Sequence, residues 1–387
     1  MAKIRPQGKR TRTNVASQKR SLPQQSKSLN SPHSLILEAE KYLQQGDLES
    51  AIPVAKRALS LVNTNTVESL PSLNLLGQIY VEHGDIELAR KFFTQAAEID
   101  IDGTISEELG GGADKFLWLA QLSEEGGHDS MQWFEKGATS LRRQSQELLG
   151  NMPASLNVEM NRAEISRKLA VCLCSMVEVY MTDLSWEDDA EQFCETLVTE
   201  ATMVAPGLVE SWQTLANVRI SQQRLEDAKA ALNRSLSLWL SLPPQDPNVP
   251  EYSSRVSLVR LLMEADMDTE AIQVLERLVS EDDSSVEVWY LGGWCLYNLG
   301  LKQKTSDLES GDCLEDWKYS WVTSKQWLKQ ALLLFNQQSY EDERLGEHAK
   351  ELVENLSAEL AGVTIPEDEE EWTEYEEDEE DEEMTEA

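Results

Sequence analysis

Six side chains recur along this chain at one fixed set of spacings, and that ladder narrows the possible folds more than any other feature. Leu35, Ala39, Tyr42, Ala51, Ala55 and Ala58 set the pattern, and Leu73, Gly77, Tyr80, Ala89, Phe93 and Ala96 repeat it. Trp212, Ala216, Arg219, Ala228, Leu232 and Ser235 repeat it again, with Arg219 and Ser235 off type. Arg255, Val259, Leu262, Ala271, Leu275 and Leu278 form a further copy, imperfect at its first member. Steps of three and four keep the first three residues of each copy on one helix face, and the last three on another. Small residues within each set let two helix axes approach closely. Between the sets lies a tight turn, as at Gly46-Asp47 and Gly84-Asp85, where glycine tolerates the geometry that ends a helix. The spacing predicts helical hairpins stacked in series, each burying its apolar face against the next.

Three further units are less regular. One, near 114–141, keeps Trp118, Leu119, Trp133 and Phe134 but has Ser130 where alanine is expected. Another, near 155–206, has over-long helices and closes on Ala201 and Pro206. The last starts at Val288, Leu291 and Gly292 and resumes at Ser324, Leu328 and Ala331, with a polar insertion over 301–317 expected to separate its helices. Residues 340–362 give one more amphipathic helix, suited to cover the apolar end of the stack.

"LNLLGQIYVEHGDIELARKFFTQAAEID" and "WQTLANVRISQQRLEDAKAALNRSL", with the spacings above, resemble the tetratricopeptide repeat family over most of residues 34–335. The resemblance implies an all-α fold, a right-handed superhelical solenoid of about seven irregular hairpins with a C-terminal capping helix and disordered tails. The expected organisation is a basic arm over 1–33, the solenoid with its capping helix over 34–362, and an acidic tail over 363–387.

Charge sets the ends apart from the middle. Residues 1–30 contain eight Lys or Arg, no acid and few large apolar side chains. Lys3, Arg5, Lys9, Arg10 and Arg12 admit two readings, a solvated tail or a nuclear-import signal for an importin. Of the last 21 residues 15 are acidic, and only Trp372 and Tyr375 among them offer anything to bury. The whole chain carries 34 Lys+Arg against 70 Asp+Glu, a formal net charge of −36 that repels phosphates and attracts basic clients. Direct nucleic-acid binding is not expected. With 41% hydrophobic residues the chain can still build a core. No run approaches the ~20 apolar residues of a membrane span, and the N-terminus lacks a secretory pattern. Cys172, Cys174, Cys194, Cys295 and Cys313 contain no C-x-x-C pair and read as reduced, mostly buried thiols of a cytosolic or nuclear protein.

No catalytic constellation is visible. The chain has no G-x-x-x-x-G-K-[ST], nucleophile elbow or H-E-x-x-H, and His33, His83, His128 and His348 read as surface residues at unrelated places in the ladder. Neither a metal nor a cofactor is expected. What remains is surface. First helices of such hairpins line the concave face, where side chains read an extended partner segment. The repeat register places Glu40, Asn74, Gln78, Glu82, Gln121, Glu124, Asn217 and Glu264 there, with Glu178 from the irregular fourth unit. Amides can bond a partner's backbone, and carboxylates can pair with its Arg and Lys. Trp118, Trp289 and Trp294 could stack on Arg, with the core as their alternative place. For each acid the alternative is a solvated helix face.

The opening "SLILEAEKYLQQGDLESAIPVAKRALSLVN", the divergent repeats and the ending "AGVTIPEDEEEWTEYEEDEEDEE" together resemble a narrower family, the fungal assembly chaperones of large-subunit ribosomal protein four. That resemblance implies a monomeric scaffold that grips the long basic loop of the newly made ribosomal protein in its groove. It would keep the client soluble and escort it to the nucleus for large-subunit assembly. Two other readings stay open. One is a general co-chaperone adaptor binding acidic C-terminal peptides. The other is a histone or chromatin-protein chaperone acting through the tail.

Overall fold

The computed structural model describes residues 31–150, 156–310 and 316–361. The arm residues Lys3, Arg5, Lys9, Arg10 and Arg12, together with Cys313 and the acidic tail, lie outside the described residues. All regular structure among the described residues is helical. The helices are α1 (Pro32–Gln44), α2 (Leu48–Ser60), α3 (Leu70–Glu82), α4 (Ile86–Ile99), α5 (Asp114–Gln121), α6 (Gly127–Gly150), α7 (Leu156–Met181) and α8 (Ala190–Val204). They continue as α9 (Val209–Ser221), α10 (Leu225–Ser237), α11 (Tyr252–Glu264), α12 (Asp268–Glu281), α13 (Val286–Ser310), α14 (Asp316–Gln338) and α15 (Glu343–Glu359). The chain divides into two compact units between Ala205 and Pro206.

In the first unit, α1 to α8 pair as successive hairpins, and the first helices α1 and α3 also touch each other. Its core is built from the ladder residues: Ala39, Ala51, Ala55 and Ala58 are fully buried, and Phe93 packs its ring directly over Gly77. Ser130, off type in the sequence, is buried and donates its hydroxyl to the Ala120 carbonyl at 2.7 Å, so the polar substitution is satisfied rather than strained.

In the second unit, α9 to α14 form three hairpins, and α15 packs on α14 and also against α13. The first helices α9, α11 and α13 touch in succession. Gly292 and Gly293 lie beneath Trp327 and Leu328, where the absence of a side chain lets α13 and α14 cross closely.

One turn recurs in both units. After α1, Gly46 has φ 73° and the Asp47 N–H donates to the Tyr42 carbonyl at 3.0 Å. The Asp47 carboxylate then accepts from the Ser50 N–H at 3.1 Å, capping α2. Gly84 (φ 82°) and Asp85 repeat this arrangement before α4. In the second unit, non-glycine residues hold the same left-handed position: Gln223 at φ 59° and Asp266 at φ 56°. The closing bonds persist, Arg224 N–H to the Arg219 carbonyl and Met267 N–H to the Leu262 carbonyl, both 2.8 Å. Ser339 (φ 49°) makes the same turn between α14 and α15. Elsewhere this turn joins the two helices of one hairpin, so α15 follows α14 through a within-hairpin turn.

Two sequence expectations need correction. The polar segment 301–317 is mostly not an insertion between helices, because α13 continues to Ser310 and α14 already begins at Asp316. Leu301, Lys302 and Lys304 continue the helical run without a Gly or Pro stop, and Lys302 pairs with Asp266 and Asp268 at 2.6 Å each. His348 is half-buried rather than a plain surface residue, since the Tyr290 hydroxyl lies 2.7 Å from its Nδ1.

Candidate functional site

In the first unit the expected partner-facing residues divide by what they already hold. Glu82 and Gln121 end their helices exposed, while Glu40 and Gln78 are half-buried. Asn74 is engaged internally: its amide nitrogen donates to the Gly110 carbonyl at 2.8 Å, and its buried Oδ1 has no partner. Glu124 departs from the expected place, because α5 ends at Gln121 and Glu124 sits in the following turn. Its carboxylate is 2.6 Å from Arg90 on α4, the second helix of the preceding hairpin. Trp118 stacks on Phe93 at 5.9 Å between ring centroids, so one of its faces belongs to the core. Glu178 keeps an exposed edge on α7, and the chain crowded around it pushes its carboxyl above the usual carboxylate range.

The loop that Asn74 holds, residues 100–113, explains why this unit spends its polar groups inward. Asp100 and Lys115 are buried together, 2.7 Å apart. Asp100 also accepts the N–H groups of Thr104 at 2.8 Å, Ile105 at 3.1 Å and Gly112 at 3.2 Å. Lys115 donates to the Gly112 carbonyl at 2.6 Å. Burial pulls the Lys115 ammonium below its ordinary range, against the pull of Asp100 in the other direction. Lys168 of α7 adds ion pairs to Asp114 at 3.3 Å and to Glu107 at 3.9 Å.

The second unit brings two of the expected residues together. Glu264 of α11 and Trp294 of α13 line one cleft of about 610 Å³, closed on a third side by the start of α15. Asn217 lies half-buried on α9, outside this lining. Tyr290, one helical turn before Trp294, sits 5.9 Å from it, and His348 meets the Trp294 ring edge-on at 5.4 Å. Burial first, and the Asp342 carboxylate second, push the Tyr290 hydroxyl above its ordinary range.

The acids of the cleft are not equivalent. Glu287 is ion-paired with Arg260, and Asp342 accepts the N–H groups of Arg344 and Leu345 to cap α15. Glu264 is exposed, and its carboxylate makes no ion pair or hydrogen bond among the described residues. A free carboxylate beside an aromatic wall suits a guanidinium or ammonium group, which can bond the acid and lie against the rings. Trp289 is turned to other work: its Nε1 donates to the Asp283 carbonyl at 2.7 Å and its ring meets Trp327 edge-on. Tyr290, Asp342 and His348 escaped the sequence reading. Tyr290 shares the face of Trp294 four residues on, a signal that could have been used, whereas α15 reaches the cleft only through tertiary packing.

Among the described residues no cluster of His, Cys, Asp and Glu could hold a metal ion, and no helix is long and apolar enough to cross a membrane. Cys172, Cys174, Cys194 and Cys295 are buried free thiols.

Comparison with known proteins fits this geometry. The tetratricopeptide repeat family model matches residues 70–100 and 209–238, the α3–α4 and α9–α10 hairpins. A probable assembly chaperone of rpl4 from Emericella nidulans is 48% identical over 334 residues, 85% of this chain and 82% of that protein. The protein of the same description from Schizosaccharomyces pombe is 32% identical over 357 residues, 91% of this chain and 98% of that one. A solved structure of an assembly chaperone of RpL4, Acl4 residues 1–338, superposes with a TM-score of 0.68 and 56% identity, covering 72% of this chain and 99% of that one. With relatives at these identities over most of both chains and a shared fold, the chain belongs to the family of assembly chaperones of rpl4, built on tetratricopeptide repeats.

Proposed function

We propose that this chain is a dedicated, non-enzymatic chaperone that binds newly made rpl4 as a monomer and holds a basic segment of it along its first-helix faces. The observation that carries the reading is the cleft in which the unpaired Glu264 faces the Trp294–Tyr290 wall. A client arginine or lysine placed there gains a charge-assisted hydrogen bond and a cation–aromatic contact in one step. Exposed carboxylates at Glu82 and Glu178 extend the same chemistry to the first unit, with Gln121 available to a client backbone. A formal net charge of −36 steers a polybasic client toward the protein and competes with RNA for it.

The place of action follows from the same reading. The chaperone meets its client in the cytoplasm and accompanies it to the nucleus, with the basic arm as the candidate importin contact. An adaptor for acidic C-terminal peptides would need free cations on neighbouring first helices. In the cleft Arg260 is already neutralised by Glu287, and Arg344 alone has no ion pair among the described residues, one cation where a pair of carboxylates needs several, which disfavours that reading.

Purification of the full-length protein at low salt, with mass spectrometry of what accompanies it, tests the proposal. Rpl4 in a one-to-one ratio, lost as salt rises, is the expected result. Recovery of heat-shock chaperones or histones in place of rpl4 refutes it.

A further inference from the structure

Helix α14 carries the highest net positive charge of the described helices. In a protein of formal net charge −36 it carries Lys318, Lys325 and Lys329 against Asp316 alone. Steps of seven and four put the three lysines on one flank, with Val322 and the 44% exposed Leu333 beside them. The cations nearby on α13 are already neutralised. Lys302 holds Asp266 and Asp268, and Lys304 holds Glu359 at 2.8 Å. Lys325 and Lys329 have no carboxylate within ion-pair distance among the described residues, although α15 packs alongside with Glu347, Glu351 and Glu354. Partial burial first, and Lys329 second, hold the Lys325 ammonium below its ordinary range. Like charges one turn apart with no counter-ion are a cost that a bound anion would relieve.

The course of the chain supplies that anion. Glu359, at the end of α15, is paired with Lys304, whose ammonium lies over the rings of Trp317 and Trp321 at the start of α14. The chain therefore leaves α15 beside the N-terminal end of α14. From there Lys325 lies about 10 Å and Lys329 about 16 Å along the helix axis, counted from Lys318. The six residue steps from Ala361 to Glu367 span up to ~20 Å when extended. The run of acids beginning at Glu367 thus reaches both lysines without any change in the unit.

We propose that the protein's own acidic tail, residues 367–387, docks on this flank of α14, with its carboxylates on Lys325 and Lys329 and with Trp372 and Tyr375 against Val322 and Leu333. The short tether makes the contact intramolecular, at an effective concentration on the order of millimolar. The basic arm offers more positive charge, but α14 stands at the root of the tail. A partner more basic than α14 would compete for the same carboxylates, so docking keeps the tail occupied until such a partner arrives. The inference does not depend on which client the protein serves.

Zero-length carbodiimide coupling of the full-length protein at low salt, with peptide mapping of the monomer fraction, tests it. Amide links should join Lys318, Lys325 and Lys329 to carboxylates between Glu367 and Glu383. They should disappear at 1 M salt, where the screening length falls to about 3 Å. In a Lys325→Gln/Lys329→Gln variant of unchanged helicity, links from the tail to Lys318 should fall at least about five-fold, as expected when a short-range ionic anchor is lost. Links made chiefly to Lys3, Lys9, Lys19 and Lys27, links spread evenly over surface lysines, or links found chiefly between two copies would each overturn the proposal.

Discussion

The two units start from one repeat and use their polar groups differently. In the first, two of the residues that the repeat register turns toward a partner are engaged inside the protein: Asn74 holds Gly110 and Glu124 holds Arg90. The loop that holds Asn74 is anchored by the buried Asp100–Lys115 pair and tied to α7 through Lys168. In the second, Glu264 stands unpaired beside Trp294 in a cleft whose other carboxylates, Glu287 and Asp342, are ion-paired or capping. The lesson is that a repeat position fixes where a side chain points, while its neighbours decide whether it is available.

The comparison can be broken at the loop. Replacing Lys115 with Met strands a buried Asp100 carboxylate, and the first unit should lose about 3–5 kcal/mol. Urea unfolding monitored by circular dichroism should reveal the loss; a change below about 1 kcal/mol would mean that the pair does not organise the loop.

Cysteine labelling then shows which unit has opened. Burial pushes the Cys172 thiol up to about 12 and Cys194 up to about 11, and raises Cys295 further still. The folded state therefore holds these protons more tightly than the unfolded chain. The associated stability is complete below pH 9 and is lost as pH climbs through the folded values. At pH 8 the native Cys172 should react with iodoacetamide about 1000-fold more slowly than a free thiol, because its thiolate fraction is that much smaller. In Lys115→Met, Cys172 should gain reactivity before Cys295 does. Equal gains at both would contradict the separation of the two units.

Two smaller effects sharpen the comparison in the second unit. A methyl at Gly292 has no room beneath Trp327, so Gly292→Ala should cost about 1–3 kcal/mol in thermal or urea unfolding. Substituting Gly for Gln223 or Asp266 should have the opposite sign, a gain of up to about 1 kcal/mol, because the left-handed backbone strain is relieved. Loss of stability from those glycines would show that the turn side chains contribute more than their strain costs.

How much of this was legible follows the same physics. The hairpins at Gly46-Asp47 and Gly84-Asp85 were readable because a glycine followed by a capping acid encodes the turn locally. Gln223, Asp266 and Ser339 take the same turn without that signal, so helix ladders alone located the later units. The segment 301–317 is polar, but polarity alone does not stop a helix, and its first glycine, Gly311, comes only after the end of α13 at Ser310. Glu264 and Trp294 were found by register. The commitments of Asn74 and Glu124 were not, because Gly110 and Arg90 lie in other hairpins and loops that periodicity does not connect.

The central claim is that free carboxylate and aromatic surface on the first helices clasps a basic client. Titration of rpl4 against the Glu264→Ala/Trp294→Ala variant, with Glu124→Ala as control, tests it most directly. The double variant should bind about 10–100-fold more weakly at low salt with unchanged helicity, and the control should bind nearly as the parent does. Parental affinity in the double variant, or an equal loss in the control, would contradict the account.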